Sequence, residues 1–120
     1  MFTPGARTTG KLKLAAKNAG GDPVHASSPR LSGDGRLLVF ESLDPTMPGN
    51  DGVIYQVYAR RLDTGKLRLL SKAPNGDPGN GDDYYPSVSR DGRFADFEGY
   101  STNLGGNPTF SEGFRAGPIG

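Results

Sequence analysis

The 120-residue chain has no cysteine, no tryptophan and a single histidine. Without cysteine it forms neither disulfides nor thiolate metal sites, and its redox compartment is left open. No apolar run approaches the ~18 residues that a membrane span requires. The opening residues, MFTPGARTTGKLKLAAK, lack the apolar centre of a signal peptide. Net charge is only +1, which removes the bulk electrostatic case for nucleic acid or membrane binding, and without an apolar run no membrane insertion is expected. Apolar residues at helical spacing are also missing. His25 has no cysteine and no Gly-x-Ser-x-Gly serine to activate, so no catalytic residues and no enzyme activity are expected.

What is abundant is glycine and proline, 19 and 10 residues, against a hydrophobic content of 33%. Such a composition approaches that of disordered chains, unless those residues are placed. They are. TGKLKLAAKNAGGDP (9–23) lies on TGKLRLLSKAPNGDP (64–78) at an offset of 55, and SPRLSGDGRLLVFES (28–42) lies on YPSVSRDGRFADFEG (85–99) at an offset of 57. The chain therefore reads as an arm (1–8), a first unit (9–62) and a second unit (63–120).

Each unit decodes into short strands, and the fold class expected is all-β. RLLVFES (36–42) is a nearly continuous apolar run, as in a strand buried on both faces. VIYQVYARRL (53–62) is rich in β-branched and aromatic residues, and KLRLLSK (66–72) alternates. PRLS (29–32) is a short strand with proline at its start. Asp34-Gly35, Asp91-Gly92 and Thr64-Gly65 have the chemistry of tight hairpin turns. With strands named A (29–32), B (36–42), C (53–62) and D (66–72), the chain runs D-A-B-C-D-A-B-C. The first D covers 11–17, and the last A, B and C cover 86–89, 93–99 and 110–116.

Four strands per unit, with an Asp-Gly corner between A and B and a Thr-Gly corner between C and D, resemble a β-propeller blade. The motifs are similar to those of the TolB-like, PD40-type (WD40-like) bacterial repeats. The residues that carry the likeness are Pro29, Ser32, Asp34, Gly35, Arg36, Phe40 and Ser42, then Pro86, Ser89, Asp91, Gly92, Arg93 and Phe97, followed by STNLGG and by Leu62-Asp63-Thr64-Gly65. The resemblance implies a non-catalytic propeller that binds proteins or ligands, often in periplasmic or secreted proteins; similar blades also cap some serine peptidases. Gln56 stands where such repeats often have aspartate, and Asp96 interrupts the second strand B at the position that Val39 holds in the first. Two blade equivalents cannot close a ring that needs ~4–8. Three arrangements stay open: a fragment of a longer propeller, a homo-oligomer completing the ring, or a truncated copy.

The loops divide by face. The A–B and C–D turns are tight, whereas the D–A and B–C loops (18–28, 43–52, 73–85, 101–109) are long and share the opposite face, where binding residues are expected. Those loops hold Asp22, Asp44, Asp51, Asp77, Asp82 and Asp83 and no lysine or arginine. An acidic face suits a basic protein or peptide partner; the same residues are also good turn formers. Asn50 and Asn80, with Tyr84 and Tyr85 at the entry to strand A, complete the candidate binding set and also suit a glycan bound by a lectin-like oligomer. A third reading is the propeller segment of a larger hydrolase. No cofactor is expected. DPGNGDD around Asp77, Asn80, Asp82 and Asp83 offers hard oxygen ligands but does not follow the D-x-[DN]-x-[DN]-G calcium loop.

Overall fold

The computed structural model describes residues 15–107 and 109–119. The arm and residues 11–14 of the first D strand lie outside them. The described chain is all-β, with a single turn of 3-10 helix at Thr102–Leu104. Strands β1 (Ala26–Leu31), β2 (Leu37–Ser42), β3 (Gln56–Arg61) and β4 (Leu67–Leu69) form one antiparallel sheet in chain order. β5 (Asp83–Val88), β6 (Ala95–Gly99) and β7 (Glu112–Ala116) form a second. No helix among the described residues is long and apolar enough to cross a membrane.

The two sheets share one register. Ala26, Ser27, Arg30 and Leu31 oppose Ser42, Glu41, Val39 and Leu38, and Asp83, Tyr84, Ser87 and Val88 oppose Gly99, Glu98, Asp96 and Ala95. Every one of these positions is shifted by the offset of 57 found in the sequence. Both ladders break at the same place, a bulge centred on Ser28 and Tyr85, whose φ angles are 51° and 54°. A left-handed non-glycine residue is uncommon, and here it recurs at the matched position.

Strand A is longer than expected because the bulge lets the chain pair from Ala26 and Asp83 onward. Strand C starts late: Asp51 Oδ1 accepts the Val53 and Ile54 N–H groups at 2.8 and 3.3 Å, holding 51–54 in a turn. Val53, expected in the strand, is 74% exposed. Strand D stops at Leu69 because a side chain takes the next ladder bond: Ser71 Oγ accepts the Val57 N–H at 2.8 Å. The tight turns form as their residues dictate. Gly35, Gly65 and Gly92 take φ of 75°, 80° and 74°, and Asp34 and Asp91 each accept the backbone N–H two residues on. Thr64 Oγ1 likewise accepts the Lys66 N–H.

All six residues of β2 are buried. Leu37 and Val39 pack with Ala59, Ala95 and Ile119 towards the second sheet. Leu38 and Phe40 pack with Met47 and Tyr58 on the other face, against Ala15, Ala16 and Val24. Each of the four β2 side chains, Leu37, Leu38, Val39 and Phe40, contributes about 1.5–3 kcal/mol by leaving water, which makes β2 the centre of the molecule. β6 alternates instead: Ala95 and Phe97 are buried, Asp96 and Glu98 half-buried. Asp96 does not break a buried strand. It lies on the outward face, with Arg115 on β7 bonded to it at 2.7 and 3.0 Å.

Candidate functional site

The long loops gather at one end and are stitched together by side chains. Asn18 Nδ2 donates to Thr46 Oγ1 at 3.1 Å, joining 18–28 to 43–52. Asn80 Oδ1 accepts the Thr102 N–H at 2.8 Å, and Asn103 Nδ2 donates to the Pro78 carbonyl at 2.8 Å, joining 73–85 to 101–109. Asp82 Oδ1 takes the Tyr55 N–H at 2.9 Å, tying the same loop to the start of β3. Gln56 secures it from below: its Nε2 donates to the Gly79 carbonyl at 2.8 Å and its Oε1 accepts Ser71 Oγ–H at 2.6 Å. The departure at Gln56 thus gives a buried amide with a partner at each end, a bridge aspartate could not make with one kind of atom.

The aspartates sort by what they touch. Asp22, Asp51, Asp77 and Asp82 are exposed. Asp44 is half-buried and its pKa is lowered, first by the Thr46 hydroxyl bonded to it at 2.7 Å. Several also build their own turns, as Asp51 does, and Asp77 takes Asn75 Nδ2 at 3.1 Å. Asn50 is a loop organiser: it reaches the Ser42 carbonyl and the Tyr58 hydroxyl, and its Oδ1 accepts the Gly52 N–H. Tyr58 Oη donates to the Pro48 carbonyl at 2.7 Å, and burial pushes its pKa up to about 12.

Asp83 does not belong to the solvent-facing set; it is buried completely. The expectation failed because β5 begins at this residue and alternation turns it inward while Asp82 points out. Its carboxyl lies between Gly79 and Gly99, at each of which a Cβ would collide with it. Ser101 Oγ lies 2.6 Å from Asp83 Oδ2 and 2.9 Å from the Gly81 carbonyl, and it accepts the Gly81 N–H at 3.0 Å. A hydroxyl has one proton to give. A neutral Asp83 donates to Ser101, which then donates to Gly81, and the chain closes. An ionised Asp83 takes the serine proton and leaves the Gly81 carbonyl without it, while Oδ1 has no partner in either state. Burial accordingly pushes the Asp83 pKa up to about 7, with Asp82 adding to the rise.

Tyr84, Tyr85 and Tyr100 form an aromatic group at the margin of this end. The Tyr84 ring meets Tyr85 edge-on at 4.7 Å and Tyr100 at 6.2 Å. Tyr85 is 63% exposed. Its backbone N–H is held by Glu41 Oε1 at 2.7 Å, while Glu41 Oε2 accepts the Ser27 hydroxyl at 3.2 Å. Glu41, on β2, thus ties β1 and β5, the first strands of the two sheets, together. The sequence carried a signal for this, since Phe-Glu recurs at 40–41 and 97–98, but its role rests on a bulge that no glycine announces. Among the described residues, no three carboxylates or imidazoles converge as a metal would need. The calcium candidates Asp77, Asn80, Asp82 and Asp83 point to separate partners. His25 is exposed, and its carbonyl accepts the Ser42 hydroxyl at 2.6 Å. No family model and no curated protein matches the chain.

Proposed function

We propose that the chain is a non-catalytic binding module of β-propeller type, related to the TolB-like repeats, that holds a basic protein segment or peptide on its loop end. The observation that carries this reading is a surface of four long loops, stitched in two pairs, with Asp22, Asp51, Asp77 and Asp82 exposed and no lysine or arginine among them. A field of one sign on a fixed platform attracts the opposite charge. The stitching lowers the ordering cost of binding. The exposed Tyr85 ring beside it offers a face to a lysine or arginine side chain, an interaction of about 0.5–1 kcal/mol at exposed sites.

Titration with a fluorescent Lys/Arg-rich peptide tests this reading against an acidic peptide of the same length. Binding of the basic peptide should weaken with salt. Asp51→Asn, Asp77→Asn and Asp82→Asn, which keep an oxygen acceptor in each turn, should together lower affinity several-fold and flatten the salt dependence. Indifference of the peptide to these changes, or binding at the opposite end near Arg36, Lys66 and Arg93, overturns the reading. The tyrosine group favours a glycan as the second reading. A neutral oligosaccharide whose binding ignores salt and is lost in Tyr85→Ala would support it.

A further inference from the structure

Each device that fastens the second sheet to the first has a counterpart at the open ends of the same chain. Glu41 accepts the Tyr85 N–H. At the matched positions stand Glu98, half-buried on the outer face of the second sheet, and Ser28, in the same left-handed conformation as Tyr85. Val88 packs on the Leu37–Val39 cluster between the sheets. Its counterpart Leu31 is 54% exposed, and Phe94, the counterpart of Leu37, is half-exposed on the outer face.

Among the described residues, a strand that completes the first sheet, rather than joining the two, is unmatched in the second. β4 pairs with β3 and sends Leu67 and Leu69 onto Phe40 and Tyr58. β7 holds the place of β3 in the second sheet, but among the described residues it pairs with β6 alone. Phe97 and Phe114 stack at 5.4 Å where Phe40 and Tyr58 stack at 5.9 Å. Beside them opens a cleft of about 370 Å³ lined by Leu70, Ala73, Phe97, Leu104 and Phe114. The segment that makes β4 with its turn, TGKLRL (64–69), has one near-copy in the chain, TGKLKL (9–14). Ala15 and Ala16, which follow it in the sequence, pack on the face of the first sheet that points away from the second.

We infer that a second copy of this chain docks head to tail on the second sheet. Its residues 9–14 add as a strand along β7, with Leu12 and Leu14 entering the cleft. Its Ser28 N–H meets Glu98, and its Leu31 covers Phe94. Such a contact uses two different surfaces, so it is heterologous and either closes into a ring or continues. The Asp96–Arg115 pair lies within the covered face and must lose water on docking, which makes the association concentration-dependent rather than permanent.

Light scattering coupled to size exclusion, run on the 120-residue chain over a wide concentration range, should show species above the monomer whose share grows with concentration. Leu31→Asp spoils one end and Phe94→Asp the other, and both sites lie at the surface, so each variant should fold, as a thermal melt monitors, and remain monomeric. Mixed together, the two retain one intact end each and should form a 1:1 dimer and nothing larger. Removal of residues 1–14 should likewise abolish assembly. The inference is overturned by a strictly monomeric wild-type chain, by assembly that survives either variant, or by a mixture of folded variants that stays monomeric.

Discussion

The two sheets are built on one register and differ in what covers them. Val39 on β2 faces Ala59 on β3, both fully buried against the second sheet. At the matched places, Asp96 on β6 faces Arg115 on β7, bonded in the open. The ladder positions are the same; the difference is that a sheet packs on one pair and, among the described residues, none packs on the other. An apolar pair under a neighbouring sheet and an ion pair facing water are two answers to one geometry, and burial decides between them. The second contrast is at the start of β1 and β5, where Ala26 faces Ser42 and Asp83 faces Gly99. The second sheet places a carboxyl where the first needs only a methyl, and a glycine across the ladder makes the room.

The most severe way to break the comparison is to give the first sheet what the second has. Val39→Asp puts a carboxylate in the centre of the Leu37 cluster without a partner, and should cost about 3–5 kcal/mol in urea unfolding, enough to unfold much of the chain. Adding Ala59→Arg should not restore it, because the pair would be buried rather than exposed.

Next in size is the proton on Asp83. Its folded pKa, about 7, lies above the unfolded value near 3.8, so the folded state holds the extra proton between those limits. Stability from this group is therefore greatest at low pH and falls as pH rises from about 4 to about 7, then levels off. Asp83→Asn mimics the neutral acid and should remove that slope in melts run from pH 4 to 8. An unchanged slope would place the titration elsewhere.

The shared bulge offers a smaller contrast. Ser28 and Tyr85 both carry left-handed strain, but Tyr85 is engaged by Glu41 and its neighbouring rings. Ser28→Gly should raise stability by about 1 kcal/mol, read as a higher denaturant midpoint at constant slope. The mildest change is the reverse of the first. Asp96→Val with Arg115→Ala should alter stability by less than about 1 kcal/mol, yet it makes the outer face apolar. Scattering should then show stronger self-association. A large loss of stability would mean the ion pair holds the second sheet together.

Much of this architecture was legible. The offset of 57 carried the register of β1–β2 onto β5–β6, since a period-2 ladder tolerates no slip once one face is buried. The continuous apolar run of β2 announced burial on both faces. What the sequence hid were features that depend on a third element. Strand C lost Val53 to an aspartate turn, and strand A gained residues through a bulge at Ser28 and Tyr85, which lack the usual glycine. Of the candidate site, the division into long-loop and tight-turn ends was readable from charge and length. The inward turn of Asp83 was not, because the strand begins one residue after the paired aspartates do.

Met47 sits in the first long loop with its side chain sunk into the Phe40–Tyr58 cluster, 3% exposed. Its thioether is the one sulfur in the described chain. Peroxide reaches it only when the loop lifts, and the sulfoxide formed is too polar to return to that cluster. The rate of its oxidation is thus a clock for opening of the loop, readable by mass spectrometry as a gain of one oxygen, and each opening so recorded leaves the loop unable to reseat.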